Sequence, residues 1–263
     1  MSDVEVLVAC MFQDDDVLYK TMNLQTNVVL ANQAEEYSLK EFIQKNGDIV
    51  KLVTSADRGV GKNRNKALMN ASCKYLLFAD QDMVYVDGYE KIICDAFKKR
   101  PDADIIAFNL NYLNRFTPAH ESGSKFKRVY IWSSMRYGTA RIAIKKSSIE
   151  KANLSFSTLY GGGAPFSAGE DSLFIREAFS KKLRMYYCPA IIADVKQETS
   201  SWFKGYNDKY FIDKGILLAN MFPWAKHLLI YYFAYQMRNV SEKYSFSRIC
   251  ILMREGFRIF DNL

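Results

Sequence analysis

Paired cysteines are missing from this sequence. Cys10, Cys73, Cys94, Cys188 and Cys250 are scattered and odd in number, and no two stand as Cys-x-x-Cys. That excludes a disulfide framework and a zinc site and predicts reduced core residues of a cytoplasmic protein. Histidine is nearly absent: only His120 and His227 occur. No apolar run approaches the ~18 residues needed to span a bilayer; the longest, Leu228–Tyr235, is flanked by Lys226 and Arg238. The start, Met1–Glu5, is acidic and leads straight into a strand pattern, unlike the basic start of a signal peptide. Repeats, low-complexity linkers, short basic runs and aromatic boxes of the RNA-binding kind are all lacking, which argues against nucleic acid as a partner.

What is present is a chain of 263 residues, 49% hydrophobic, with a formal net charge of +7. This is enough for one large α/β domain with an appended piece, or for two small domains. The positive balance calls for an anionic partner such as a nucleotide or a membrane surface.

Val4–Met11, Asn27–Ala31, Ile49–Thr54, Tyr75–Asp82 and Asp104–Asn109 read as buried strands. Glu35–Lys45, Asn63–Ser72 and Gly88–Lys99 have helical spacing. This alternation predicts an α/β fold, a mostly parallel sheet flanked by helices on both faces. Residues 111–138 lack periodicity and suit a long loop or an antiparallel hairpin. A short strand at Arg141–Ile144 and a short helix at Ser147–Ala152 follow. Beyond them lie a helix opened by Gly169-Glu170-Asp171 and running through Ser180, and a last strand, Tyr186–Val195. Ser200–Leu263 is helical in character and rich in aromatics.

Chemistry concentrates where apolar runs stop. The Tyr75 run ends in Asp80 and Asp82, one residue apart. Open α/β sheets bind ligands beyond the carboxyl ends of their strands. Two acids there supply hard oxygen ligands for a divalent cation, and such a cation usually also holds phosphate. A helix cap plus a solvated acid would give the same pattern. Ser55–Asn65 places Gly59, Gly61, Lys62 and Arg64 between a strand and a helix, which suits phosphate at a helix start, or an ordinary turn. It is neither a Walker loop nor a complete Gly-x-Gly-x-x-Gly. Glu170 and Asp171 suit a helix first turn, or a carboxylate presented as general base behind the flexible Gly161–Gly163.

Taken in order, Asp57, Arg64-Asn65-Lys66-Ala67-Leu68, Ala79-Asp80-Gln81-Asp82-Met83-Val84-Tyr85, Gly169-Glu170-Asp171-Ser172 and Ser200-Ser201-Trp202-Phe203-Lys204-Gly205-Tyr206 resemble the family 2 glycosyltransferases of the GT-A fold. The likeness is greatest to the bacterial enzymes that build capsular or exopolysaccharide units. It covers nearly the whole chain. It implies that Gln13, Asn32 and Asp57 lie near the base of a nucleotide-diphosphate sugar, UDP first, with Arg64 nearby. It implies that Asp80 meets the ribose side and that Asp82, with Asp80, ligates Mn²⁺ or Mg²⁺. It makes Asp171 the catalytic base, with Glu170 as the alternative, in an inverting transfer to a glycan or lipid-linked acceptor. The chain departs from the common pattern at Gln81, where many relatives have Asp, and neither histidine matches the late His ligand that many relatives carry.

The expected division is a catalytic domain over residues 1–199, with a nucleotide-binding half, 1–110, and an acceptor half, 111–199. The helical remainder, 200–263, would follow. Its apolar residues, including a stripe of Phe246, Ile249, Cys250, Met253, Phe257 and Phe260, suit packing on the catalytic domain or a second subunit. The interspersed Lys226, Arg238, Arg248, Arg254 and Arg258 suit an anionic bilayer, placing a cytoplasmic enzyme on the inner face of the membrane. Two rival readings are a sugar nucleotidyltransferase and a non-enzymatic polyanion- or membrane-binding module. The first lacks its glycine-rich loop after the opening strand, where Phe12–Asp16 stands instead. The second gives no reason for carboxylates at successive strand and helix mouths.

Overall fold

A computed structural model describes residues 2–113, 125–134, 136–196, 205–239 and 243–263. Residues 114–124 of the aperiodic stretch, and Ser200–Lys204 of the last motif, lie outside the described residues. The described residues form two compact units. One runs to Thr158 and resumes at Glu170; the other comprises Leu159–Gly169 and the C-terminal helices.

The first unit is built on one sheet. Its strands are β1 (Val4–Met11), β2 (Asn27–Gln33), β3 (Ser38–Ile43), β4 (Ile49–Ser55), β5 (Tyr75–Asp80), β6 (Met83–Tyr85), β7 (Ile105–Tyr112), β8 (Lys127–Arg128), β9 (Ile142–Lys145) and β10 (Met185–Val195). Its helices are α1 (Val17–Thr21), α2 (Val60–Asn70), α3 (Tyr89–Lys99), α4 (Ile131–Ser134), α5 (Lys146–Ala152) and α6 (Glu170–Ser180). The strand order is β3-β4-β2-β1-β5-β9-β7-β10-β6, with β8 pairing β10. β4, β2, β1 and β5 are parallel neighbours, as are β7 and β10, while β3, β9, β6 and β8 run antiparallel to their partners.

Alternation along β1 explains the layering. Val4, Val6, Val8 and Cys10 face one core with Leu18, Tyr89, Ile93 and Phe97. Leu7 faces the other, with Ala67, Phe78, Phe156 and Phe174. The predicted mostly parallel sheet with helices on both faces is therefore what forms. Buried Glu5 spends its carboxylate on the backbone N–H groups of Ser72 and Cys73, at 2.6 and 2.9 Å, and so fixes the entry to β5.

One expected helix is a strand. Glu35–Lys45 has helical spacing, yet Ser38–Ile43 forms β3, paired antiparallel with β4 from Ser38↔Thr54 to Ile43↔Ile49. Asn46-Gly47 makes the hairpin turn, with Gly47 at φ +88°. Pairing with a buried neighbour outweighed the i, i+3, i+4 spacing of Leu39, Phe42 and Ile43. Lys40 and Glu41 then sit on a sheet edge, where charge discourages further pairing.

The second unit contains α7 (Asp208–Met221), α8 (Lys226–Met237) and α9 (Phe246–Asp261). Asn207 caps α7 by accepting from the Tyr210 N–H, and Ser245 caps α9 by accepting from the Arg248 N–H. Phe211, Ile230, Ile249, Met253 and Phe257 form its core. Among the described residues no helix is long and apolar enough to cross a membrane.

Candidate functional site

The chain climbs outward from β1 through β2 to β4 and then returns to β5 on the other side of β1. Between β1 and β5 the winding reverses, and open α/β sheets bind their ligands beyond the strand ends at such a switch point. The two exits are tied together: the Gln81 side-chain oxygen accepts from the Met11 N–H at 3.1 Å. Gln81, the position that departs from the common Asp, thus braces the end of β1.

Arg64, on α2, reaches into this region with only 5% of its surface exposed. Its Nη2 donates to Asp80 Oδ1 at 3.1 Å, and its Nη1 donates to Asp171 Oδ1 at 2.6 Å and Glu170 Oε1 at 3.3 Å. The guanidinium carbon lies 5.4 Å from the centre of the Phe156 ring. Burial alone would lower the Arg64 pKa, but the charges of Asp171, Asp80 and Glu170 more than offset it and hold the value above the ordinary one. Nε is buried without a partner. One cation therefore joins the strand-end acid to both helix-mouth acids.

Asp171 has further anchors. Its Oδ2 accepts from the Thr139 backbone N–H at 3.1 Å, and its Oδ1 accepts from the Thr139 hydroxyl at 2.5 Å. Thr139 is fully buried. Sequence reasoning missed it, because nothing in Tyr137-Gly138-Thr139 signals that it meets a helix start more than thirty residues on. α2 is held by Asn65, whose amide pairs with both the N–H and the carbonyl of Phe156, at 2.7 and 2.9 Å. The Arg64-Asn65 pair thus divides its work: one side chain enters the site and the next clamps the loop behind it.

The expected base-facing residues form a separate group at the ends of β1, β2 and β4. Asn32 is buried and its amide is spent internally. Its Oδ1 accepts from Gln13 N–H at 2.9 Å, and its Nδ2 donates to the Gln13 carbonyl at 2.7 Å and to Thr54 Oγ1 at 3.1 Å. Asn32 therefore shapes the Gln13 loop and offers no free amide to a ligand. The Gln13 amide itself donates to the Met11 carbonyl at 2.8 Å. Asp57 is half exposed and pairs with Lys66 and Ser55. The Lys66 and Ser55 hydrogen bonds hold its carboxyl below the ordinary value. Phe12 stands 61% exposed at φ +53° beside the Arg58 guanidinium.

Asp82 is exposed just past β5, and its carbonyl accepts from Lys196 N–H at 3.4 Å. Among the described residues no group of three His, Cys, Asp or Glu side chains is gathered to hold a metal. The donor set at Asp80 and Asp82 nevertheless fits Mg²⁺ or Mn²⁺ bound in company with a substrate, since such ions commonly take one or two protein carboxylates and complete their shell with phosphate and water.

This fold and this site define a GT-A type α/β protein, with acids at the strand exit and at a helix mouth. The family model for glycosyl transferase family 2 matches residues 11–154, more than half of the chain, and the chain belongs to that family. No curated protein sequence matches the chain. Among solved structures the chain resembles S. aureus TarS, with a TM-score of 0.62 at 13% identity, covering 91% of this chain and 44% of that one. It thus spans under half of that longer TarS chain. It also resembles TarS 1–349 in complex with UDP-GlcNAc (TM-score 0.60, 13% identity, 98% and 90% covered) and in complex with UDP (0.58, 15%, 91% and 73%). At such identities the likeness is one of fold.

Proposed function

We propose that this glycosyltransferase moves a sugar from a nucleotide-diphosphate donor, UDP-linked first, to a glycan or lipid-linked acceptor of a bacterial capsule or exopolysaccharide, with inversion at the anomeric carbon. The observation that carries the proposal is Arg64: one buried guanidinium gathers Asp80, Glu170 and Asp171 at a single point. A structural ion pair needs one acid. Three acids on one arginine, from the end of β5 and the start of α6, make a site poised for chemistry at the expense of stability. The UDP and UDP-GlcNAc complexes of TarS support the choice of nucleotide.

In this reading Asp57 and the Gln13 main chain meet the base, with Asn32 acting through Gln13. Asp80 approaches the ribose side. Asp82, with Asp80, holds Mn²⁺ or Mg²⁺, which supplies charge neutralisation of the diphosphate when bound. Asp171 accepts the proton of the acceptor hydroxyl as that oxygen bonds to the anomeric carbon. The bond from that carbon to the diphosphate oxygen breaks in the same displacement, and the nucleoside diphosphate leaves with the electron pair. Arg64 and Thr139 fix the direction of the Asp171 carboxylate for that step. Glu170, on the same guanidinium, is the alternative base. The chain's positive charge supports work at the inner face of a membrane, with no spanning helix required.

The test is donor hydrolysis and transfer over a panel of UDP-, GDP- and dTDP-sugars, with Mn²⁺, with Mg²⁺ and with excess chelator. UDP-sugar turnover that stops in chelator, and in a folded Asp82→Ala variant, is the expected result. Full activity of Asp82→Ala, or full activity in chelator, would remove the metal from the proposal; no turnover of any donor would remove the enzyme.

A further inference from the structure

The geometry points to a lipid-facing surface on α8, built to lie against the headgroups of an anionic bilayer. α8 is apolar around most of its circumference. One side, Ile230 and Ala234 with Phe233 and Met237, belongs to the core of the second unit. The other carries Leu228, Tyr231, Tyr232 and Tyr235, whose spacing puts them on one helical face, and Trp224 stands just ahead of them. All five are exposed, Trp224 at 85% and Leu228 at 74%. A continuous exposed patch of this kind marks an interaction surface, unlike scattered single apolar residues. The stripe of α9 is not available for the same role, because Ile249, Met253 and Phe257 are buried.

Residue type and charge together choose the occupant. Trp and Tyr are the side chains that settle at the boundary between headgroup and acyl chain. The Arg238 guanidinium lies 3.8 Å over the Tyr235 ring, and Arg254 Nη2 donates to the Tyr231 hydroxyl at 2.6 Å. Neither arginine has a carboxylate partner among the described residues, whereas Lys226 and Arg248 do. α8 itself contains no Asp or Glu. An apolar aromatic face rimmed by unneutralised arginines complements acyl chains beneath phosphate headgroups. This assignment rests on the membrane-surface setting proposed above and adds the element that makes the contact.

The experiment uses the whole 263-residue chain without donor or acceptor. Vesicles of phosphatidylcholine alone, or of phosphatidylcholine with phosphatidylglycerol, are mixed with the protein and pelleted. Strong binding to the anionic vesicles is expected. The Leu228→Glu, Tyr232→Glu double variant should lower partitioning about tenfold or more. Arg238→Gln and Arg254→Gln should each lower it about fivefold on anionic vesicles and little on neutral ones. Thermal unfolding of every variant should match the parent, since these side chains are exposed. Absence of vesicle binding, or binding that survives both sets of substitutions, would overturn the assignment. So would a concentration-dependent dimer in sedimentation velocity that Leu228→Glu abolishes, which would make a second copy the occupant. No sugar nucleotide enters the vesicle assay, so its failure leaves the transferase reading standing, and a failed donor panel leaves this one standing.

Discussion

Arg64 is the residue on which the candidate site turns, and its type matters as much as its charge. A guanidinium is a planar fork that can serve acids on two sides at once; an ammonium is a point charge on a flexible stem. Arg64→Lys keeps the charge but cannot span from Asp80 to Asp171. Misplacing a base by a fraction of its own length costs rates on the order of a hundredfold. Arg64→Lys should therefore lose about that factor in kcat while remaining folded, and Arg64→Met should lose about 1–3 kcal/mol of stability by leaving three partly exposed acids without their shared cation. A near-parental kcat for Arg64→Lys would show that the cluster is structural. Asp57 offers a second check, by pH. Its carboxyl is held below its ordinary value of 3.8, first by Lys66 and then by Ser55. A depressed folded-state pKa means that the stabilising pair is fully present above the unfolded value and fades only as the pH falls through the lower, folded one. In Lys66→Met the Asp57 titration, followed by NMR of its carboxyl carbon, should move up toward the ordinary value. An unchanged titration would mean that Lys66 does not hold it.

At the scale of elements, α2 carries the site because it comes unusually close to the loop behind it. A Cβ on Gly61 would sit 2.1 Å from the Ser157 carbonyl oxygen. In an open helix Gly→Ala stabilises by up to about 1 kcal/mol. Here the sign reverses: Gly61→Ala should destabilise by about 1–3 kcal/mol. It should also lower kcat, since Arg64 lies one turn further along the same helix. A raised melting temperature for Gly61→Ala would refute the close approach. The elements also show what the sequence could and could not reveal. β1 and β5 are runs of apolar residues ended by polar ones, and the start of α6 is a glycine followed by two acids, so burial and capping print them directly. β3 could not be read that way, because three apolar residues at helical spacing were decided by a partner strand. The acids of the site lie at element ends and were visible. The reach of Arg64, the clamp by Asn65, the brace by Gln81 and the anchoring by Thr139 depend on contacts between distant segments, which spacing along one chain does not encode.

For the molecule as a whole, the two units have separate cores, and the second depends on two glycines that no local pattern singles out. A Cβ on Gly215 of α7 would lie 2.2 Å from the Met253 carbonyl oxygen, and one on Gly256 of α9 would lie 2.2 Å from the Ile212 carbonyl oxygen. Each helix meets the other backbone to backbone, with no room for a side chain between them. Gly256→Val must push α7 and α9 apart and loosen the packing of Phe211, Ile249 and Phe257. The cost should reach about 3 kcal/mol, at the upper end for overpacking, because the obstacle is backbone and cannot rotate away. The Arg64 cluster and the Gln13, Asn32 and Asp57 group all belong to the first unit, so nucleotide binding should outlast this damage. The expected result for Gly256→Val is a lower melting transition, early proteolytic cleavage confined to Leu159–Gly169 and to residues beyond 205, and UDP affinity within about twofold of the parent, as for sites that do not share partners. Loss of UDP binding together with the second unit would show that the two cores fold as one, and that the candidate site needs both.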